Sequence, residues 1–198
     1  MKNEIKDLAI RLFTLKGYRG VSFGDITDKL GTTRANIHYH FKSKSGLAEN
    51  VLDAAVDDVL TRYKTIWTNS HSTLNQKLLS SLEFNKERYD RYNTPGEGRV
   101  WSLITRFRMD MDVITAKMIA RLNEVTLKNE FYVEMGVKIA LDNGELKENA
   151  PLEDIALQIS NILHFAPLIS QAPHDFDRLE KTYLALMKMI DHAYSKAN

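Results

Sequence analysis

Apolar side chains recur at helical spacing along almost the whole chain. Ile5, Leu8, Ala9, Leu12 and Phe13 follow the i, i+3, i+4 pattern of an amphipathic helix, and Gly17 suits its C-terminal cap. Ser22 and Asp25 have the spacing of an N-cap and its reciprocal partner, so a short helix is expected over 25–30, closed by Gly31. Thr32 or Thr33 can cap a second short helix running to about His40. Ser43 can cap a longer one from Lys44 to Trp67, in which Leu47, Val51, Ala55, Val59 and Tyr63 step at four and Ala54 and Ile66 fill the stripe. Leu74, Leu78 and Leu82 predict a helix over 72–92, and Asn93-Thr94-Pro95-Gly96 a break. Further helices are expected over 98–109 and from there to about Asn143, where Asn143-Gly144 is a stop signal. Pro151 is expected in the first turn of the next, which buries Ile155, Ala156, Ile159, Ile162, Leu163 and Ala166. Pro173 and Asp175 introduce the last, with Phe176, Leu179, Tyr183, Leu186, Met187, Ile190 and Tyr194 on one side. No segment alternates as a strand does. The pattern predicts an all-α protein of about nine helices.

Composition adds a location for charge. The 198 residues suffice for one large domain or two small ones. There is no Cys, hence no disulfide or thiolate chemistry, which fits a cytoplasmic setting. Lys2, Glu4, Lys6 and Asp7 are followed by no long apolar run, so neither a signal peptide nor a membrane span is expected. The net charge of +1 is unevenly spread: residues 1–50 carry nine basic against five acidic side chains, a surplus of four, leaving the remainder at −3. A basic head on an acidic body suits contact with a polyanion.

The chemistry concentrates in the segment 31–44. Two short helices joined by a Gly-containing turn form a helix-turn-helix. Ile26, Leu30, Ile37 and Phe41 are spaced to pack inward, which leaves Arg34, Ala35, Asn36, His38, Tyr39 and His40 available to face outward. Arg and Asn match base edges in the major groove, while lysines and hydrogen-bonding aromatics suit phosphates. Arg34 and Lys44 fall near helix N-termini, where the helix dipole disfavours cations. A docked polyanion would explain that placement.

The head resembles the TetR family of bacterial transcriptional regulators. The resemblance rests on Gly17-Tyr18, Asp25-Ile26, Gly31, Ile37-His38-Tyr39-His40-Phe41 and Lys42-Ser43-Lys44-Ser45-Gly46-Leu47, which agree in register over about residues 4–52. It implies a helix-turn-helix DNA-binding domain over 1–46 and a helical ligand-binding and dimerisation domain over 47–198. It implies base contacts from Arg34, Ala35 and Asn36, and phosphate contacts from Thr33, His38, Tyr39, His40 and Lys44. Three residues depart from the family pattern. Thr27 replaces the usual Ala, Gly24 a longer residue, and His38 the usual Tyr, which would make phosphate binding pH-dependent.

In the body, Trp67, Phe84, Trp101, Phe107, Met111, Met118, Phe131, Met135 and His164 read either as core or as the wall of a pocket for an apolar or amphipathic effector. Arg99, Arg106 and Arg108 lie near them in sequence and leave an anionic ligand open. The resemblance implies a homodimer through the last two helices, with Ile155, Ile159, Leu163, Phe176, Leu179, Tyr183, Leu186 and Ile190 at the interface. The functional expectation is a repressor that binds a palindromic operator and is released by a small molecule. The alternatives are the same architecture without a ligand, or an all-helical enzyme. The sequence offers the enzyme no Gly-rich phosphate loop, nucleophile elbow or spaced metal ligands. His38 and His40 point in different directions on a helix and make a poor metal pair. No metal or cofactor is expected.

Overall fold

The structure, a computed structural model, describes residues 1–93, 100–171 and 176–196. Among them are nine α-helices: α1 (Lys2–Lys16), α2 (Phe23–Leu30), α3 (Arg34–Phe41), α4 (Lys44–Trp67), α5 (Leu74–Tyr92), α6 (Leu103–Arg108), α7 (Ala116–Asp142), α8 (Leu152–Ile169) and α9 (Phe176–Tyr194). The only other regular pairing described is an isolated antiparallel bridge between Leu146 and Ser195. The expected features at Thr94, Pro95, Gly96, Gly98, Arg99, Pro173 and Asp175 lie outside the described residues.

Local chemistry sets most helix ends. Gly17 closes α1 with φ 73°, Gly31 closes α2 with φ 60°, and Gly144 follows α7 with φ 76°. The Ser22–Asp25 capping box forms, but α2 starts at Phe23, directly after its cap, instead of at Asp25. α5 starts at Leu74, two residues later than expected, capped by Thr73 with Gln76 as reciprocal partner. Pro151 is the N-cap of α8 and stands just before its first turn, not within it. The largest departure is the helix expected over 98–109. Its described part is six residues long, opened by Ser102, whose hydroxyl accepts from the N–H of Thr105. The following helix does not continue from Met109 but starts at Ala116, after Thr115 Oγ1 accepts from the N–H of Met118 at 3.2 Å.

The chain forms two compact units, residues 1–58 with 99–125, and residues 59–98 with 126–198. In the first, α1 packs on α2, α3 and α6. Ile5, Ala9, Leu12, Phe13, Ile26, Ile37 and Phe41 fill the interior, while Leu30 stays half-buried. In the second, α5, α8 and α9 pack on one another. There Asn85 donates to the Tyr183 hydroxyl at 3.0 Å and accepts from the Tyr63 hydroxyl at 3.3 Å, so three buried polar groups satisfy each other. Gly136 lies against Trp67; a Cβ there would fall 2.6 Å from the indole ring.

Candidate nucleic-acid interface

The turn from α1 to α2 is the scaffold of the head. Gly17 is required twice over: its φ is positive, and a Cβ would lie 2.7 Å from Asp110 Oδ2. That same oxygen accepts from the Tyr18 N–H at 2.7 Å. Phe13 stacks on Tyr18 and meets Phe107 edge-on, with ring centroids 6.1 and 5.4 Å apart. Arg106 Nη2 donates to the Leu15 carbonyl at 3.3 Å, and Arg19 pairs with Asp112. α6 and the turn after it therefore clamp the α1–α2 turn. These partners are some 90 residues away in sequence, and no local pattern announces them. Phe107, expected in a ligand pocket, instead packs on the head. Arg106 bonds the Leu15 carbonyl and Arg108 Nη2 the Leu122 carbonyl at 2.7 Å, so neither contact addresses an anionic ligand.

The supporting helix α2 is fixed at its start. Ser22 N donates to Asp25 Oδ2 at 2.8 Å, Asp25 N donates to Ser22 Oγ at 3.2 Å, and Lys16 Nζ lies 2.7 Å from Asp25 Oδ1. The bonds from Lys16 and Ser22 hold the Asp25 carboxyl well below the usual carboxylate range. Thr27 donates its hydroxyl to the Gly24 carbonyl at 3.0 Å, so the extra oxygen is satisfied within its own helix. Gly24 leaves space that a side chain would take: its Cβ would stand 3.6 Å from Arg34 Nη2.

The helix α3 is then presented with one face inward. Ile37 and Phe41 are buried, whereas Arg34, Ala35, His38 and Tyr39 are exposed and Asn36 and His40 half-exposed. Tyr39 keeps 75% of its surface in solvent, unusual for a residue whose ring could pack. Thr33 Oγ1 accepts from the Asn36 N–H at 3.2 Å, and Asn36 Nδ2 donates to Thr32 Oγ1 at 2.8 Å. The amide of Asn36 is thus oriented before any base is met. His38 Nδ1 donates to the Lys42 carbonyl at 2.6 Å, and its ring stands edge-on to Phe23 at 5.0 Å. The residue at the usual Tyr position therefore stabilises the left-handed Lys42, φ 65°, that turns the chain into α4. Ser43 Oγ accepts from Gly46 N at 3.0 Å as the α4 cap.

Lys44 Nζ lies 4.5 Å from the centre of the Tyr18 ring. Burial pushes its ammonium pKa down, and the nearby carboxylates of Asp110 and Asp25 oppose that shift. Arg19, Arg34 and Lys44 line one open cleft with Ser22, Phe23 and Gly24 at the start of α2, where backbone N–H groups add positive potential. The arrangement offers donors in the fork geometry of bases on α3 and cations for phosphate beside it.

The body residues divide. Trp67, Phe84, Phe131, Met135 and His164 belong to the second unit, and Trp101, Phe107, Met111 and Met118 to the first. Trp67, Phe84, Trp101, Phe107 and Met118 are buried and His164 is half-buried, but Met111, Phe131 and Met135 are exposed. Phe84 is occupied by Tyr63, ring to ring at 5.5 Å. The expected interface residues on α8 and α9 also differ from expectation. Ile155, Ile159, Leu163, Phe176, Leu179, Tyr183 and Ile190 are buried within the subunit; of the eight only Leu186 is partly open. The stripe chosen for a partner is the stripe that packs α8 and α9 onto α5. The outward apolar side chains are Leu157, Phe165 and Leu168 on α8 and Met189 on α9.

Helix, glycine turn, outward-facing recognition helix and cationic flank define a helix-turn-helix of the kind that binds DNA. Residues 5–51 match the family model described as bacterial regulatory proteins, tetR family. The HTH-type transcriptional repressor KstR2 of Rhodococcus jostii is 29% identical over 85 residues, 41% of this chain and 42% of that protein's own length. The negative regulator of the icaADBC biofilm operon, IcaR of Staphylococcus aureus, is 29% identical over 153 residues, 72% of this chain and 75% of IcaR. A TetR-family regulator from Agrobacterium tumefaciens superimposes with a TM-score of 0.78 at 17% identity, covering 98% of this chain and 97% of that one. By these likenesses the chain is a DNA-binding transcriptional regulator whose head, residues 5–51, matches the TetR family model. Among the described residues no helix is long and apolar enough to cross a membrane.

Proposed function

We propose that this chain is a cytoplasmic repressor that binds a palindromic operator as a homodimer and is released by a small-molecule effector. Residues 1–46 bind DNA and residues 47–198 carry the effector and the partner subunit. The observation that carries the DNA assignment is the outward set Arg34, Ala35 and Asn36 at the capped start of α3, backed by buried Ile37 and Phe41. Those three read bases, while Thr33, Tyr39, His40, Lys44 and the free edge of His38 hold phosphate. A two-fold dimer places its two recognition helices about 34–36 Å apart, or a larger helical multiple. The interface we assign to the outward faces of α8 and α9, around Leu157, Phe165, Leu168, Leu186 and Met189. Two repressors among its relatives, KstR2 and IcaR, support the sign of regulation.

Effector and operator then weaken each other's binding by one factor, and a ligand with equal affinity for both conformations shifts nothing. The exposure of Met111, Phe131 and Met135 favours a second reading, the same regulator without an effector. A ligand screen by thermal shift, followed by operator release, separates the two. The chemistry is binding, with no catalytic residue, cofactor or metal assigned. The deciding experiment is a footprint on the DNA flanking the coding region: a protected palindrome is expected there. Arg34→Ala should cost roughly 1–3 kcal/mol and relax discrimination at one base step; an equal loss on every sequence would remove Arg34 from base reading.

A further inference from the structure

The turn after α6 brings two carboxylates to the head, and the fold uses only one of them. Asp110 Oδ2 accepts from the Tyr18 N–H at 2.7 Å and occupies the space that Gly17 leaves. Asp110 keeps 15% of its side chain in solvent, Asp112 67%. Beyond its own backbone, Asp112 has one described partner, the guanidinium of Arg19. Arg19 is itself 58% exposed, with Nη2 on Asp112 and Nη1 3.7 Å from Asp110 Oδ1. An ion pair this open to water adds little to stability, so folding does not account for it.

The second observation is where Arg19 stands. It lines the open cleft with Ser22, Gly24, Arg34, His38 and Lys44, at the start of α2 and beside α3. Among the described residues Arg34 has no carboxylate partner, and Lys44 rests on the Tyr18 ring. Of the three cations in the cleft, Arg19 alone is therefore paired with a carboxylate. A guanidinium meets carboxylate and phosphate through the same fork of N–H donors. Asp112 offers Arg19 what a DNA phosphate at the cleft would offer.

We propose that Arg19 is a further phosphate contact of the helix-turn-helix, and that Asp112 holds it in the free protein until the DNA backbone displaces the carboxylate. The proposal rests on the DNA-binding reading of the head. A phosphate seated in the cleft also meets the N–H groups at the start of α2 and the charge of Lys44, which a single exposed carboxylate does not match. The exchange leaves Asp112 unpaired beside the docked backbone. The turn after α6 thereby lowers DNA affinity by the same factor on every sequence, because phosphates carry no sequence information.

Fluorescence anisotropy of a labelled mixed-sequence duplex, titrated with the full chain over a range of salt concentrations, tests this without knowledge of the operator. Arg19→Ala should weaken binding about tenfold and lower the slope of log affinity against log salt by about one. Asp112→Asn should strengthen binding several-fold. In the Arg19→Ala background the same substitution should change affinity by less than about twofold, since the two side chains act as a pair. Asp28→Asn removes an exposed carboxylate of α2 that has no cationic partner among the described residues, and should act equally in both backgrounds. Thermal melting checks that each variant folds. A wild-type chain that does not bind the duplex would bring down the DNA reading and the proposal together. Duplex binding with an unchanged salt slope in Arg19→Ala, or an Asp112→Asn gain that is the same with and without Arg19, would overturn the proposal alone.

Discussion

Gly17 shows how one residue carries two demands. It ends α1 in a left-handed conformation and admits the Asp110 carboxylate where a methyl group would stand. Gly17→Ala should destabilise the protein by more than about 1 kcal/mol, since both backbone and contact must shift. The midpoint of urea unfolding measures this, and an unchanged midpoint would show that the turn relaxes freely. The turn role of Gly17 was legible in the sequence, because Gly at a helix end is a local signal. The carboxylate filling its missing side chain was not, being 93 positions away. His38 is similar. Its outward position follows from periodicity, whereas its bond to the Lys42 carbonyl depends on the turn that Lys42 makes.

At the scale of elements, the pair α2–α3 was readable almost completely. Capping residues at Ser22 and Thr33, the αL glycine at Gly31 and the inward pair Ile37 and Phe41 act within a few residues of each other. The junction of α3 and α4 adds Lys44, which rests on Tyr18 in the free protein and is partly desolvated there. Phosphate docking would give that ammonium a stronger partner than an aromatic face. Lys44→Ala should weaken operator binding and flatten its salt dependence by about one counter-ion. A slope of log affinity against log salt equal to that of the wild type would exclude the contact. By contrast α6 is shorter than its apolar periodicity predicts, because Ser102 caps its start and Met109 its end.

For the whole molecule, the useful distinction is between the two faces of α8. Ile159 has no exposed surface and Phe165 keeps 53% of its own in solvent. Phe165→Glu should therefore leave the subunit folded and shift sedimentation from dimer to monomer. Ile159→Glu should instead unfold it, since it buries an unpaired charge. A folded, dimeric Phe165→Glu protein would move the interface away from the outward face of α8.

The sequence by itself determined the all-helical class, the helix-turn-helix and the residues of α3 that face outward, since caps, turns and 3.6-residue periodicity are local. It also marked which α8 and α9 positions are apolar. Only the tertiary structure decided what those positions touch. A helix with apolar residues on two sides does not declare which side meets its own subunit, and packing on α5 took the richer stripe. The same holds for the clamp of Asp110 on the Gly17–Tyr18 turn and for the buried set of Tyr63, Asn85 and Tyr183. These sites join distant segments, and their geometry exists only once the chain has folded.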